Sequence, residues 1–453
     1  MEHLLRVSNN GDTVGHLGFD SREDRYSFQY EQAWRERRTA FSLSPHILHT
    51  GEAPAAGAVH RFLGNLLPEG RALEVASVMY QMSKDNIFGL IRMLGKEPVG
   101  ALSFAHFEEG QEPPAHQEEP IRREIPYEEL SERIRERDTL PFPVWDQKVR
   151  LSVAGYQDKL QVMVEGSKLS LADGSLSSTH ILKPESRNAN TPFMVANEHY
   201  CMTLADAIGL RTAAVSIRRI PEPILLIKRF DRVVRTAADN PDQIESVGRL
   251  HIIDGCQALD LPSQFKYERN FGHTQDVRNI REGVSFEKLF SLQPHFEQPA
   301  QTRTFMLRWA ILQLLIGNSD AHGKNISFFQ RRIRIEPAPL YDLVSVNAYA
   351  DNENVEQEMA MAYGDAFLLE EITPFELALF AKSTGTRPAL LARELIRMAS
   401  AALKFAPVLA ESEVYVGDDE RARVKKISDF ICVQADRLMK LAPQVPKVNP
   451  DLL

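Results

Sequence analysis

One stretch decides how this chain is interpreted: Gly317-Asn318-Ser319-Asp320-Ala321-His322-Gly323-Lys324-Asn325. It directly follows residues 302–316, where apolar residues are too frequent for the single stripe of a surface helix. We therefore predict a buried helix that ends at Gly317. Four residues separate Asp320 from Asn325, so one short loop carries both a carboxylate and an amide.

The spacing of Asp320 and Asn325 is that of the Asp-x-x-x-x-Asn catalytic loop of protein kinases. Phosphoryl transfer needs a group that orients the attacking hydroxyl and takes its proton, and it needs oxygen ligands for Mg²⁺. Asp320 is the predicted catalytic residue. Asn325 is a predicted metal ligand, together with Asp342, which stands seventeen residues further on in an apolar, strand-like setting. The alternative is ordinary turn chemistry, since Asn, Ser, Asp and Gly all favour loops.

Four softer signals precede this loop, and each has a plain structural alternative. They are a small-residue turn, a lysine that ends a strand, a glutamate on a following helix, and a charged segment after a buried strand. A single glycine makes the turn weak as a phosphate-binding loop, and taken alone the segment favours a plain hairpin turn. Their order along the chain is the order that kinase lobes require. The segments are residues 152–159, Lys183, Glu198 and residues 228–232.

Composition limits the classes of protein that need to be considered. The chain has 453 residues, 43% of them hydrophobic and 25% charged, which indicates two or three globular units and excludes a disordered or fibrous chain. A formal net charge of −9 makes it a poor autonomous ligand for nucleic acid. The three cysteines are far apart and predict neither disulfides nor a metal cluster. Without a signal peptide or an apolar run of membrane length, we expect a cytoplasmic protein.

The order of elements predicts an α+β fold, because a strand-rich first half is followed by a helix-rich second half. Residues 108–120 contain five glutamates and three prolines, so we interpret 108–124 as a linker. Residues 236–248 are polar and predict an exposed loop. Thr373-Pro374-Phe375-Glu376 predicts a helix start with a capping box.

Together these segments resemble the HipA family, the serine/threonine-kinase toxins of bacterial HipA–HipB toxin–antitoxin modules. The resemblance covers nearly the full length. Its motifs are Asn65-Leu66-Leu67-Pro68-Glu69, Ser152-Val153-Ala154-Gly155-Tyr156-Gln157-Asp158-Lys159, His180-Ile181-Leu182-Lys183, Asn197-Glu198, Lys228-Arg229-Phe230-Asp231-Arg232, Asp320-Ala321-His322-Gly323-Lys324-Asn325 and Tyr341-Asp342.

The resemblance implies a bilobed protein-kinase-like fold with an added N-terminal subdomain. The implied division is a HipA N-terminal subdomain at 1–107, a linker at 108–124, a kinase N-lobe at 125–232 and a helical C-lobe at 233–453. It also implies an enzyme that uses ATP and Mg²⁺. The implied protein substrate is an aminoacyl-tRNA synthetase such as glutamyl-tRNA synthetase, and the implied partner is a small HipB-like DNA-binding antitoxin, through which the chain reaches DNA indirectly.

The resemblance also assigns roles to individual residues. Asp320 would be catalytic, Asn325 and Asp342 would hold Mg²⁺, Glu198 would form an ion pair with Lys183, and autophosphorylation of Ser152 would switch the enzyme off. The residues implied in ATP binding are Ala154, Gly155, Tyr156, Gln157, Asp158, Lys159, Lys183, Lys228, Arg229, Phe230, His322, Lys324, Asn325 and Asp342. The chain departs from the family pattern at Tyr156, which is bulkier, and at Asp158, which is shorter than glutamate.

Two alternatives stay open at this point. The first is a small-molecule phosphotransferase on the same scaffold. The second is a non-enzymatic regulator that binds an antitoxin and DNA jointly, which the presence of Asp320, Asn325 and Asp342 argues against.

Overall fold

The computed structural model describes residues 2–107, 118–150, 157–272, 274–352 and 354–453. The chain divides into two compact units. Unit 1 comprises Met1–Pro184, Arg218–Ile253 and Phe328–Ile335, and unit 2 comprises Glu185–Ile217, Asp254–Ser327 and Glu336–Leu453. The first is rich in strands and the second in helices, so the predicted α+β class is confirmed.

Unit 1 begins with a four-stranded antiparallel sheet in the order β3-β2-β1-β4. The predicted hairpin between β1 and β2 is confirmed, because Asn10 and Gly11 have φ angles of +49° and +91°. Leu5 and Val7 of β1 and Leu17 of β2 are fully buried on one face of the sheet. The elements are β1 (Glu2–Asn9), β2 (Asp12–Asp20), β3 (Arg25–Tyr30), α1 (Gln32–Glu36), α2 (Ala56–Leu66), α3 (Gly70–Met79), α4 (Ile87–Leu94) and β4 (Leu102–His106).

A six-stranded sheet follows in the order β11-β12-β10-β8-β9-β5. Its apolar face covers a core that includes Trp145, Leu182 and Leu226. The elements are β5 (Ile121–Glu124), α5 (Tyr127–Arg135), β6 (Val144–Trp145), β7 (Lys148–Val149), β8 (Leu160–Glu165), β9 (Lys168–Asp173), β10 (His180–Pro184), β11 (Val215–Arg219) and β12 (Pro223–Lys228), of which β6 and β7 form a separate pair.

Part of the predicted linker is a strand. Residues 108–117 lie outside the described residues, but β5 pairs antiparallel with β9 at the edge of the sheet. Charged side chains are compatible with an edge strand because one side of it faces solvent, and Arg123 is held there by Glu129 at 2.5 Å. The boundaries between the predicted domains stay a prediction.

Residues 237–243 form the exposed loop that was predicted, but the prediction is wrong for residues 236 and 244–248, which belong to strands. The chain there forms an antiparallel hairpin of β13 (Arg232–Thr236) and β14 (Ile244–Arg249). Ile244 and Val247 are buried against Met163 and Leu176, and this burial stabilises a strand whose composition is mostly polar.

A three-stranded sheet consists of β15 (Ile252–Asp254), β16 (Ser327–Arg331) and β17 (Arg334–Pro337), strands at which the chain passes from one unit to the other.

Unit 2 is built around the helix that was predicted to be buried. This helix, α9, packs against α11 and α12, and it ends at Gly317 as expected. Thr373 caps α10 by accepting the Glu376 N–H, but Glu376 accepts from Asp365, so the predicted capping box is only half formed. The helices are α6 (Met194–Ala207), α7 (Gly255–Ala258), α8 (Phe286–Ser291), α9 (Pro299–Ile316), α10 (Pro374–Ser383), α11 (Pro388–Ala410) and α12 (Asp418–Leu441).

Short 3₁₀ helices complete the fold, at Ser263–Phe265, Gln293–His295, Gly323–Asn325, Asn347–Tyr349, Leu369–Glu371, Ala442–Lys447 and Pro450–Leu452. Within the described ranges, none of the helices combines the length and the apolar character that crossing a membrane would require.

Candidate active site

The loop that carries Asp320 starts where α9 stops. Gly317 adopts a left-handed conformation, with φ +61° and ψ +50°, and its N–H donates to the Gln313 carbonyl. A side chain is excluded here because a Cβ on Gly317 would lie 2.6 Å from the ring of Phe430. The carbonyl of Gly317 accepts the N–H groups of Val346 and Asn347 at 3.0 and 2.9 Å. The end of the helix is thereby fixed to the segment that follows Asp342.

Hydrogen bonds within the loop bring Asp320 and Asn325 together. The Asn325 side-chain Nδ2 donates to the backbone carbonyl of Asp320 at 2.8 Å. The Asp320 N–H donates to Asn318 Oδ1 at 3.2 Å, and Asn318 is itself held by the buried Gln313. Asp320 is exposed whereas Asn325 is buried. The loop therefore exposes the Asp320 carboxylate to solvent, while buried side chains hold the backbone of Asp320 in place.

His322 braces this loop. Its Nδ1 accepts the Lys324 N–H at 3.2 Å, which leaves the ring proton on Nε2. Burial lowers the pKa of His322 well below its ordinary value, the positive charges of Lys266 and Lys324 add to this, and the carboxylate of Asp342 opposes it. A neutral imidazole at physiological pH suits a structural acceptor better than a general acid.

Asp342 has an unusual backbone conformation. Its φ of +56° is uncommon for a residue with a side chain, although aspartate tolerates it better than most. The preceding Tyr341 donates its hydroxyl to the Lys324 carbonyl at 2.7 Å, which ties this segment to the catalytic loop.

The residues present fit a magnesium ion. The Asn325 Nδ2 donates to the Asp320 carbonyl, so Oδ1 is the amide atom of Asn325 that can bind a metal. Together with the Asp342 carboxylate it offers the hard oxygen ligands that Mg²⁺ prefers. Among the described residues, no group of three or more His, Cys, Asp and Glu side chains is gathered into a protein-only metal site. Mg²⁺ usually takes one or two carboxylates and completes its coordination with water and substrate phosphates.

Lys324 has a protein partner within unit 2. Its Nζ forms a buried ion pair with Asp254 at 2.8 Å. The role in ATP binding that the resemblance implies for Lys324 stays a prediction, and the structure adds a local one, which is to fix the loop to α7. Sequence analysis did not single out Asp254, although Asp254 and Gln257 form a capping box at the start of α7 that their spacing could have indicated.

Tyr267 is a second residue that the sequence analysis missed. Its hydroxyl donates to Asp320 Oδ1 at 2.5 Å, and its ring meets the His322 ring edge-on with centroids 5.0 Å apart. Because 53 positions separate Tyr267 from Asp320, no local spacing connects them.

The residues predicted to contact the ATP phosphates are only partly described. Ser152, Ala154, Gly155 and Tyr156 lie outside the described residues. In unit 1, Lys159 and Lys183 are 5% and 4% exposed, and Lys183 lies on β10 opposite Leu225 of β12. Gln157 is half-buried, and Asp158 is 3.7 Å from Arg137. Burial raises the pKa of Asp158, and the positive charges of Arg137 and Arg71 oppose this.

The predicted hinge segment belongs to a buried network of charges. The Arg229 guanidinium donates to Asp231 through Nε at 3.0 Å and Nη2 at 2.8 Å. Arg232 also pairs with Asp231, at 2.7 Å, and with Glu97, at 3.3 Å. The Arg229 side chain thus has a structural role within unit 1, and its role beside adenine stays a prediction. Lys228 is exposed, and the Phe230 ring packs edge-on against Phe329.

Glu198 lies on α6 of unit 2 and is 2% exposed. A carboxylate at this depth requires compensation by positive charge or hydrogen bonds. The ion pair with Lys183 stays a prediction.

Two protein-family models match separate parts of the chain. A family model for the HipA-like C-terminal domain matches residues 151–404, and a model for the HipA N-terminal domain matches residues 5–105. The chain belongs to the HipA family. The resemblance derived from the sequence motifs is therefore confirmed.

Two relatives and one solved structure show how much of the chain the likeness covers. The serine/threonine-protein kinase toxin HipA of Shewanella oneidensis is 40% identical over 387 residues, which cover 85% of this chain and 84% of that protein. A protein of Sinorhizobium fredii is 32% identical over 446 residues, 97% of this chain and 99% of its own length. A solved complex of Shewanella oneidensis HipA, HipB and operator DNA contains a chain that matches with a TM-score of 0.84 and 36% identity, over 98% of this chain and 100% of that one.

Proposed function

We propose that this HipA-family chain is an ATP- and Mg²⁺-dependent protein serine/threonine kinase with a bilobed, kinase-like fold. The observation that carries the proposal is the catalytic loop. An exposed Asp320 stands beside a buried Asn325, whose amide nitrogen is bound to the Asp320 carbonyl at 2.8 Å. The similarity to the Shewanella oneidensis kinase toxin over 85% of the chain supports it.

In this proposal the chain's residues divide the work of phosphoryl transfer. Asp320 orients the hydroxyl of a serine or threonine and takes its proton as the oxygen attacks the γ-phosphorus of ATP, while the bond from that phosphorus to the β,γ-bridging oxygen breaks and ADP leaves. Asn325 and Asp342 hold Mg²⁺, which when bound neutralises charge on the phosphates. Lys159 and Lys183 supply further positive charge, and Glu198 orients Lys183 through an ion pair. Lys228, Arg229 and Phe230 border the adenine.

The partners follow from family membership. We propose that the chain is the toxin of a toxin–antitoxin module and that a small HipB-like protein neutralises it and links it to DNA. Support comes from the solved relative, which is a complex of HipA with HipB and operator DNA. The proposed protein substrate is an aminoacyl-tRNA synthetase, such as glutamyl-tRNA synthetase, whose modification would arrest translation.

Autophosphorylation of Ser152 is the proposed off-switch. A phosphate adds about −1.5 to −2 charge at neutral pH, so beside the phosphates of ATP it would weaken nucleotide binding by repulsion. Ser152 lies outside the described residues, and the proposal rests on the sequence motif alone.

A labelling experiment tests the kinase activity. The purified chain is incubated with Mg²⁺, radiolabelled ATP and soluble bacterial lysate, beside Asp320→Asn and the control Asp429→Asn. Asp429 is an exposed carboxylate on α12 that pairs with Lys425. We expect wild type and Asp429→Asn to label a protein band and Asp320→Asn to lose the signal. Equal labelling by all three proteins would refute the role of Asp320, whereas ATP consumption without a labelled protein would favour a small-molecule acceptor.

A further inference from the structure

The segment Lys266-Tyr267-Glu268 supplies a side chain to the candidate active site. The Tyr267 hydroxyl donates to Oδ1 of Asp320 at 2.5 Å, a short distance that is typical of hydrogen bonds to charged acceptors. Tyr267 is half-buried, whereas Asp320 is exposed. The contact therefore joins a side chain that packing restrains to an exposed carboxylate.

The backbone of this segment is fixed to the catalytic loop. The Gly323 N–H donates to the Lys266 carbonyl at 2.8 Å, two residues before Asn325. On the other side, Gly283 lies so close that a Cβ there would be 1.8 Å from the Tyr267 carbonyl oxygen. Only glycine fits this approach, so the segment is confined between the catalytic loop and residues 283–284.

Glu268 anchors the same segment through a buried ion pair and buried hydrogen bonds. It is 2% exposed, and its Oε2 accepts the Ala362 N–H at 2.8 Å while Arg281 pairs with Oε1 at 2.5 Å. The Glu268 N–H also donates to the Ala360 carbonyl at 3.0 Å. A buried, paired carboxylate one residue after Tyr267 restricts the positions that the tyrosine can reach.

We infer that Tyr267 is a positioning residue for Asp320, which holds the carboxylate through Oδ1 so that Oδ2 faces the substrate hydroxyl. This inference rests on the proposed kinase function. A carboxylate accepts through two oxygens, so one can be fixed by the protein while the other meets the substrate. A fixed carboxylate raises the rate because misplacement of a reacting group by about 1 Å costs about 10²-fold.

The contrary idea is that Tyr267 occupies the place of the substrate hydroxyl and blocks it. The two ideas predict opposite effects when the hydroxyl is removed. A positioning residue gives a slower enzyme without its hydroxyl, and a blocking residue gives a faster one.

The test is Tyr267→Phe in the full-length chain, with Tyr127→Phe as the matched control. Tyr127 also donates its hydroxyl to an oxygen, the Ser167 carbonyl at 2.7 Å, but on the exposed surface of unit 1. Initial rates of label transfer to a fixed amount of lysate protein are measured against ATP concentration. We expect the maximal rate of Tyr267→Phe to fall about 10- to 100-fold, with KM for ATP and the unfolding midpoint unchanged. Tyr127→Phe should match wild type.

Two outcomes would overturn the inference while leaving the proposed function intact. They are an unchanged or raised maximal rate in Tyr267→Phe, or a fall that an equal loss of folded protein explains. A wild-type chain that transfers no label would instead refute the proposed function and this inference with it.

Discussion

At the scale of single residues, the backbone of Asp342 is as informative as its carboxylate. A φ of +56° costs free energy for most side chains, and aspartate and asparagine are the residues that adopt it with least strain. Strained residues that persist are concentrated at functional sites. An exchange of Asp342 for asparagine therefore preserves the conformation and removes only the charge.

We predict that Asp342→Asn needs at least about tenfold more Mg²⁺ for half-maximal label transfer, because a neutral amide is a weaker ligand for a hard cation. Binding of ATP without metal should be retained. The measurement is a Mg²⁺ titration of the transfer rate. Asp24→Asn is the control, since Asp24 has a φ of +46° in the exposed β2–β3 turn. An unchanged Mg²⁺ requirement in Asp342→Asn would remove Asp342 from the metal site.

Spacing allowed Asp320, Asn325 and Asp342 to be selected from the sequence, because local motifs keep their geometry wherever they occur. The partners of these residues could not be predicted in the same way. Tyr267 reaches Asp320 across 53 positions and Asp254 reaches Lys324 across 70, and only the tertiary fold determines such contacts. The burial that keeps His322 neutral is likewise invisible in the sequence.

At the scale of elements, the end of α9 links the fold to the site. The frequency of apolar residues in the helix and the glycine after it were enough to predict both the helix and its end. The same reasoning failed for β14, because its few apolar side chains are buried by residues from distant parts of the chain, including Met163. Polar composition indicates a loop only where no neighbouring sheet covers the chain.

Alanine substitutions at two glycines that follow helices distinguish the cost of a left-handed backbone from the cost of a steric clash. Gly209 follows α6 with φ +87°, and a Cβ there would lie in open space. A Cβ on Gly317 would instead clash with the ring of Phe430. Both alanine variants should lose about 1–2 kcal/mol from the left-handed backbone. We expect Gly317→Ala to lose more stability and also most of the transfer rate, because its catalytic loop must shift. Urea denaturation and label transfer measure the two effects, and equal behaviour of the variants would contradict this account of the loop.

At the scale of the whole molecule, both units keep histidines neutral by burial. Burial lowers the pKa of His180 and His251 in unit 1, and of His199 in unit 2, to about 4. The His251 Nε2 donates to the Leu43 carbonyl at 2.8 Å, which opposes the lowering, but the effect of burial is larger. An unfolded histidine has a pKa near 6.5, so between that pH and about pH 4 the unfolded chain binds more protons than the folded one.

The free energy of unfolding should therefore be fully retained above about pH 6.5 and should fall as the pH is lowered toward 4. Urea denaturation at a series of pH values measures this slope. His251→Gln should be less stable than wild type at pH 7.5 but should show a shallower decline. His60→Gln, at an exposed position, is the control. A wild-type stability that stays constant from pH 7 to pH 4.5 would contradict the prediction.

The most direct test of the central claim is a single turnover on ATP that is already bound. Wild type and Asp320→Asn are loaded with labelled ATP and Mg²⁺, binding is confirmed by calorimetry, and acceptor protein from lysate is then added. We predict equal affinity for Mg²⁺–ATP and a transfer rate about 10²- to 10⁴-fold lower in Asp320→Asn, the usual effect of losing a general base. Transfer by the loaded variant within twofold of wild type would contradict the claim that Asp320 performs the chemistry of this site.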